Sequence, residues 1–313
     1  MNLPLFFRAA ILFCAFTSVV LSQKKIPTPK WKPGYTAFYL VRLKNQRNIE
    51  TKSALSLPNA PSQSNTDVRA VLQLQIVDAK NSAAGNVRLH THFVDFRENS
   101  GEGTISTPVS DKFIDVTLQR DGQLTQITGL AGLPTEQQVA WREWVAQFSA
   151  TYLYETRGRK LGDKWSAEEP ETAPSPIAQL LWQRKSQYVH DEPCSPVKLD
   201  PKGGAQHIAG KETCAVILTT ASLIQKSSQQ DATPQDYKLR GLRTRGSARG
   251  TNETILYISR SNGQLVRATQ NANQEMAVQI ALVDGTNQVQ YDVTASANNS
   301  VELVSELTLS PHP

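Results

Sequence analysis

The chain reads as a mostly β protein (α+β): a long curved antiparallel sheet or open barrel, with one long helix inserted between two β regions. Three observations predict this. Apolar and polar residues alternate over long stretches, the dipeptides Asp121-Gly122 and Asn262-Gly263 sit between such stretches, and a single segment carries helical spacing. Successive side chains of a strand point to opposite faces, so period two marks a half-buried strand and a period near 3.6 marks a helix. Strands that are apolar on one face are antiparallel by preference. Asp-Gly and Asn-Gly tolerate the positive φ that tight hairpins need.

At the N-terminus, Arg8 precedes the apolar run Ala9 to Phe16, and Val20 and Ser22 follow. This is the pattern of a secretory signal peptide. The run is too short to span a bilayer, which takes about 20 residues. Cleavage is expected near Ser22, giving an exported chain, periplasmic or secreted, that starts near Gln23 and has no transmembrane segment. Arg8 is the only charged residue before the cut, so cleavage lowers the formal net charge of +5 by one. About 290 residues remain, enough for one large or two ordinary domains.

Residues 23–34 form a lead-in interrupted by Pro27, Pro29 and Pro33, each lacking a backbone donor. The first β region covers 35–133. In it Tyr35, Ala37, Tyr39, Val41 and Leu43 share one strand face, followed by Val68 to Ile76 and by Val87, Leu89 and Phe93. Ser53 to Asp67, rich in Ser, Asn and Pro, reads as a surface loop. A hairpin is expected around Asp121-Gly122. Residues 134–160 are helix and linker: Pro134 and Thr135 start the helix, Trp141, Val145, Phe148 and Tyr152 follow at helical spacing, and Gly158 ends the pattern. The second β region, 161–313, carries strands over 180–189, 213–223 and 252–269. Alternation then recurs at Met276 to Leu282, Val289 to Val293 and Val301 to Leu309. Both hairpins run into Gln-Leu, at 123–124 and 264–265. This reads either as tandem duplication of a β unit or as coincidence of two common turns.

Of three cysteines, Cys14 falls in the signal, leaving Cys194 and Cys214 as an even pair in an oxidising compartment. One disulfide is expected. Trp141, Trp144, Phe148 and Tyr152 are the candidate ligand-binding residues, with core packing as the plainer role. Arg243, Arg245 and Arg249 share a parity on an extended segment and form a candidate anion site, or a solvated edge that discourages aggregation. Nucleic acid is not expected, because this basic run lacks interleaved aromatics.

No catalytic, cofactor or metal site is expected. His90 and His92 share a strand face without the spacing of a zinc site. Around Gly210-Lys211 the phosphate-loop spacing fails, and Gly246-Ser247 misses the nucleophile elbow. Asn252-Glu253-Thr254 and Asn298-Asn299-Ser300 match glycosylation acceptors.

The middle of the chain carries Trp141-Arg142-Glu143-Trp144-Val145, Gly162-Asp163-Lys164-Trp165-Ser166, Glu168-Glu169-Pro170, Ser175-Pro176-Ile177, Tyr188 and Glu192-Pro193-Cys194. This series resembles a family of uncharacterised exported bacterial proteins, in which a helix leads to a G-D-x-W turn and a second β region. The likeness is clearest over about 134–270 and implies a bacterial envelope location. More remotely, the order of long strands resembles half-barrel lipoprotein carriers, whose concave sheet holds acyl chains.

The reading that follows is a noncatalytic secreted or periplasmic binding protein, holding an apolar or lipid-like ligand or an envelope protein on a curved sheet. It predicts an apolar concavity. The alternative is an envelope scaffold that presents strand edges or the basic patch to other proteins; an enzyme assembled from residues remote in sequence ranks third.

Overall fold

The structure, a computed structural model, describes residues 25–27, 33–53, 62–78, 84–100, 103–106, 112–119, 124–132, 138, 142, 145, 156–171, 175–199, 205–208, 212–226, 233–283 and 288–306, with only some side chains along 84–128. The strands are β1 (Thr36–Ser53), β2 (Ser62–Asp78), β3 (Ala84–Ser100), β4 (Gly103–Ser106), β5 (Lys112–Gln119), β6 (Leu124–Thr128), β7 (Lys164–Pro170), β8 (Leu180–Pro193), β9 (Val197–Leu199), β10 (Ala205–His207), β11 (Thr213–Gln225), β12 (Leu242–Ser259), β13 (Leu265–Leu282) and β14 (Val289–Ser305). All but β9 and β10, which pair with each other, join one 12-stranded sheet in the order β6-β5-β3-β2-β1-β14-β13-β12-β11-β8-β7, with β4 on β3. The sheet is open and its paired strands are antiparallel, as the alternation predicted.

The two β regions therefore form one continuous sheet. Their junction is β1 against β14, from Tyr39 opposite Ser305 to Ser53 opposite Tyr291. Chain ends that are remote in sequence close the middle of the sheet.

One face carries the main core. On β1 it takes Ala37, Tyr39, Val41 and Leu43, on β2 Val68, Ala70, Leu72, Leu74 and Ile76, and on the other side of the junction Val301, Leu303, Ala268, Leu256, Ile217 and Tyr188. Removing each large apolar side chain from water stabilises the fold by roughly 1.5–3 kcal/mol. Tyr39 reaches across this core and donates to the Leu265 carbonyl at 3.1 Å, so its hydroxyl is satisfied although the residue is buried. The lead-in is tied on by Ile26, which is buried and exchanges backbone hydrogen bonds with Arg159 and Gly158.

Gln138, Arg142 and Val145 are helical, where the sequence predicts a helix, and Val145 is buried in the main core. Trp141, Trp144, Phe148 and Tyr152 lie outside the described residues. A short helix, Gln235–Leu239, precedes β12, the strand that carries Arg243, Arg245 and Arg249.

Two boundaries differ from expectation. β2 begins at Ser62, so the proposed loop to Asp67 ends earlier, and 289–305 is one strand rather than two. The cause is shared: Gln63, Asn65 and Thr66 in one strand, and Asn298, Asn299 and Ser300 in the other, interrupt the apolar alternation without ending the strand. Asn is depleted from strands, so such runs read locally as loop.

Candidate functional site

Each of the long central strands is polar at its midpoint, and the register aligns those midpoints. One row runs Asn65, Gln46, Asn298, Asn273, Thr251, Ser222 from β2 to β11. The next in the same parity runs Asp67, Lys44, Ser300, Asn271, Glu253, Thr220. Nearly all of these side chains are exposed, and their parity is opposite to that of the main core.

Between the rows lies a concavity of about 1100 Å³, lined by positions 44–46, 65–67, 220–222, 251–253, 271–273 and 298–300 together with Arg97. Because it takes three consecutive positions from each strand, it is a trough running across the strands rather than along them. Adjacent strands lie about 4.8 Å apart, so from β2 to β11 it spans roughly 24 Å. Its floor is mid-sheet, where the backbone donors and acceptors are committed to the ladders. Only side chains can contact a ligand there. A smaller concavity of about 530 Å³ takes Asn48, Ser247, Arg249, Glu275 and Thr294 further along the same strands.

The trough is lined by side chains that end in amides, hydroxyls and charges on carbon stems, and apolar carbon makes up more of its surface than polar atoms do. Asn273 donates to Asn298 Oδ1 at 3.1 Å across it. Its charges are mutually compensating: Lys44 is opposite Asp67, and Asp67 is opposite Arg97.

The opposite face is also polar at this level. Thr66, Asn45, Asn299, Ala272, Asn252, Ala221 and Arg184 form one row there. Thr254 donates to Asn252 Oδ1 at 3.2 Å, and Ser186 and Thr219 are 2.8 Å apart. The Oδ1 atoms of Asn45 and Asn299 and the Oε1 of buried Gln270 are buried without a hydrogen-bond partner among the described residues. An orphaned buried acceptor costs about 1–3 kcal/mol. This band separates the main core from a second apolar cluster: Ile177, Leu180, Leu223 and Val278 are buried, with Trp182, Ala248, Met276 and Val293 partly buried against them. Trp182 Nε1 and Gln274 Nε2 both donate to Glu171 Oε2, at 2.8 and 3.3 Å.

The other predicted residues fall in separate places. Arg243, Arg245 and Arg249 are all exposed on the trough side of β12, but Arg249 is bonded to Glu275, its Nε 2.7 Å from Oε2. The trio is therefore not a uniform cation cluster. Cys194 and Cys214 form a disulfide, with Cα atoms 5.0 Å apart; this fits a chain that works in an oxidising compartment. Asn252 turns to the core side, so of the two acceptor motifs only Asn298 is presented on the trough.

The G-D-x-W turn has a structural task. Gly162 takes φ 87°, Asp163 Oδ2 accepts from the Lys160 amide at 2.8 Å, and the turn exchanges backbone bonds with Tyr188 at 2.9 and 3.0 Å. Arg159 lies over the Trp165 ring, 4.6 Å from its centroid. Tyr188 itself donates to Asp191 and accepts from Arg260, while Arg260 and Asp191 are 3.7 Å apart. Burial first, and then the Asp191 carboxylate, push the Tyr188 phenol well above its ordinary value, against the opposing Arg260 charge. Sequence reasoning missed this triad, whose members come from β8 and the β12–β13 turn.

No known family and no curated protein matches the chain. Among solved structures it is similar to one described as lipid–protein interactions in lipovitellin, at 9% identity over 90% of this chain and 27% of that one, with a TM-score of 0.41. It is also similar to an outer membrane channel from Pseudomonas putida F1, at 10% identity over 89% of this chain and 97% of that one, TM-score 0.23. The outer membrane protein OprG from Pseudomonas aeruginosa gives 7% identity, 88% and 94% coverage, and TM-score 0.20. The chain spans just over a quarter of the lipovitellin chain it matches. Likenesses at these TM-scores carry no inference about a ligand.

Proposed function

We propose that this chain is an exported, noncatalytic binding protein that uses its sheet as the binding surface. One observation carries the reading: polar midpoints from six strands, scattered through the sequence, are brought into register around a single trough. Residues that contradict strand propensity at aligned positions serve something other than the fold. A second reading is supported by the other face. There the partly buried Trp182, Met276 and Val293, with exposed Ile49 in the Met276 row, suit an apolar or lipid-like ligand.

The test places an environment-sensitive fluorophore on Ser222→Cys, at the end of the trough, or on Ile49→Cys, on the other face, and titrates each with envelope extract. A response at Ser222→Cys alone is expected. A response at Ile49→Cys alone would favour the lipid-like reading, and silence at both would overturn the binding proposal in favour of a scaffold.

A further inference from the structure

We infer, resting on the trough as the binding surface, that its ligand is a neutral polyhydroxyl chain, a glycan without net charge. The lining decides the class by elimination. Acyl chains would have to cover amides and hydroxyls, leaving them without hydrogen-bond partners. An extended peptide gains affinity by adding to a sheet edge, but the trough lies mid-sheet and its backbone groups are already paired. A polyanion needs a positive field, whereas Lys44 and Arg97 flank Asp67, and Glu253 adds a second anion. Nucleic acid bases need aromatic platforms, and there is none among the described lining residues.

What fits is a ligand whose groups both donate and accept. Each Asn or Gln side chain offers an NH₂ and a carbonyl side by side, and Asn65, Gln46, Asn298 and Asn273 repeat that pair on four adjacent strands. A row of such pairs at strand spacing matches successive hydroxyls along an extended polymer better than one small molecule.

The experiment is co-sedimentation of the full mature protein with insoluble cellulose, chitin and curdlan, with alginate gel as the polyanion. At least one neutral polymer should retain the protein. Retention should survive salt raised to about 0.5 M, where charge contacts are screened within a few ångströms. Asn273→Ala/Asn298→Ala should weaken it about tenfold, two lost hydrogen bonds' worth, with an unchanged melting curve, while Met276→Ala on the other face should leave it unaltered. Retention only on alginate and lost with salt, no retention on any neutral polymer, or wild-type retention of the double variant would each overturn the inference. Its failure is separable from failure of the trough itself. A fluorophore at Ser222→Cys that still answers envelope extract would keep the trough, and loss of that answer after protease treatment of the extract would identify a peptide.

Discussion

Asn273 on β13 and Asn298 on β14 face each other across the ladder and share a hydrogen bond of 3.1 Å on the exposed side of the sheet. Neither is needed to hold the strands together, since the backbone ladder continues on both sides of them. Replacing Asn273 and Asn298 by Thr should therefore raise stability, by up to about 1 kcal/mol, because Thr suits a strand better than Asn. Urea denaturation checks this. A loss of stability instead would mean that the amides are structural.

Gly246 is different, because here the backbones approach closely. A methyl group at this position would collide with the Ala277 carbonyl oxygen and come within 2.7 Å of Val278 Cα, both on the paired strand β13. Gly246→Ala should cost roughly 1–3 kcal/mol through overpacking. Gly250→Ala meets the Trp182 ring and the Gln274 side chain at 3.1 Å, but also the Asn273 carbonyl at 2.8 Å. Its melt should fall between wild type and Gly246→Ala.

The disulfide links the start of β11 to the segment after β8, across 20 positions. In the loop-entropy view, replacing Cys194 and Cys214 by Ala should lower stability by about 3 kcal/mol. Denaturation with and without reductant should show the wild type converging on the double variant.

Tyr188 and Tyr35 should ionise later than ordinary phenols. Burial raises both; the Asp191 carboxylate adds to the effect at Tyr188, whereas the bond from Tyr35 to Gln264 opposes it. A phenol whose pKa is raised by folding contributes stability that is complete below the unfolded value near 10 and is lost as pH climbs from there toward the folded value. Ultraviolet titration should show late phenolates, one of which disappears in Tyr188→Phe. That variant should also lose less stability than wild type above pH of about 10.

What was legible in the sequence was whatever is written in neighbouring residues. The inward faces of β1 and β2 follow from alternation at Tyr39, Val41 and Leu43 and at Leu72, Leu74 and Ile76, because the pleat sends every second side chain the same way. Asn262-Gly263 marks a turn, and Gly263 takes φ 74°. The cysteine pairing follows from parity and compartment.

The candidate site was not legible, because nothing local marks it. Gln46, Asn65, Asn273 and Asn298 each read locally as a point where a strand stops, and the residues around 298 split β14 in two when read alone. Only the pairing of β1 with β14, chain start against chain end, sets those weak points side by side. Cross-strand register is decided by burial of the whole apolar face, since a slip of one residue would turn every core side chain to solvent. The sequence by itself thus determined the inward faces of the apolar strands, the hairpins and the disulfide. The tertiary structure decided how far β2 and β14 extend and which polar residues meet, and so where the proposed site lies.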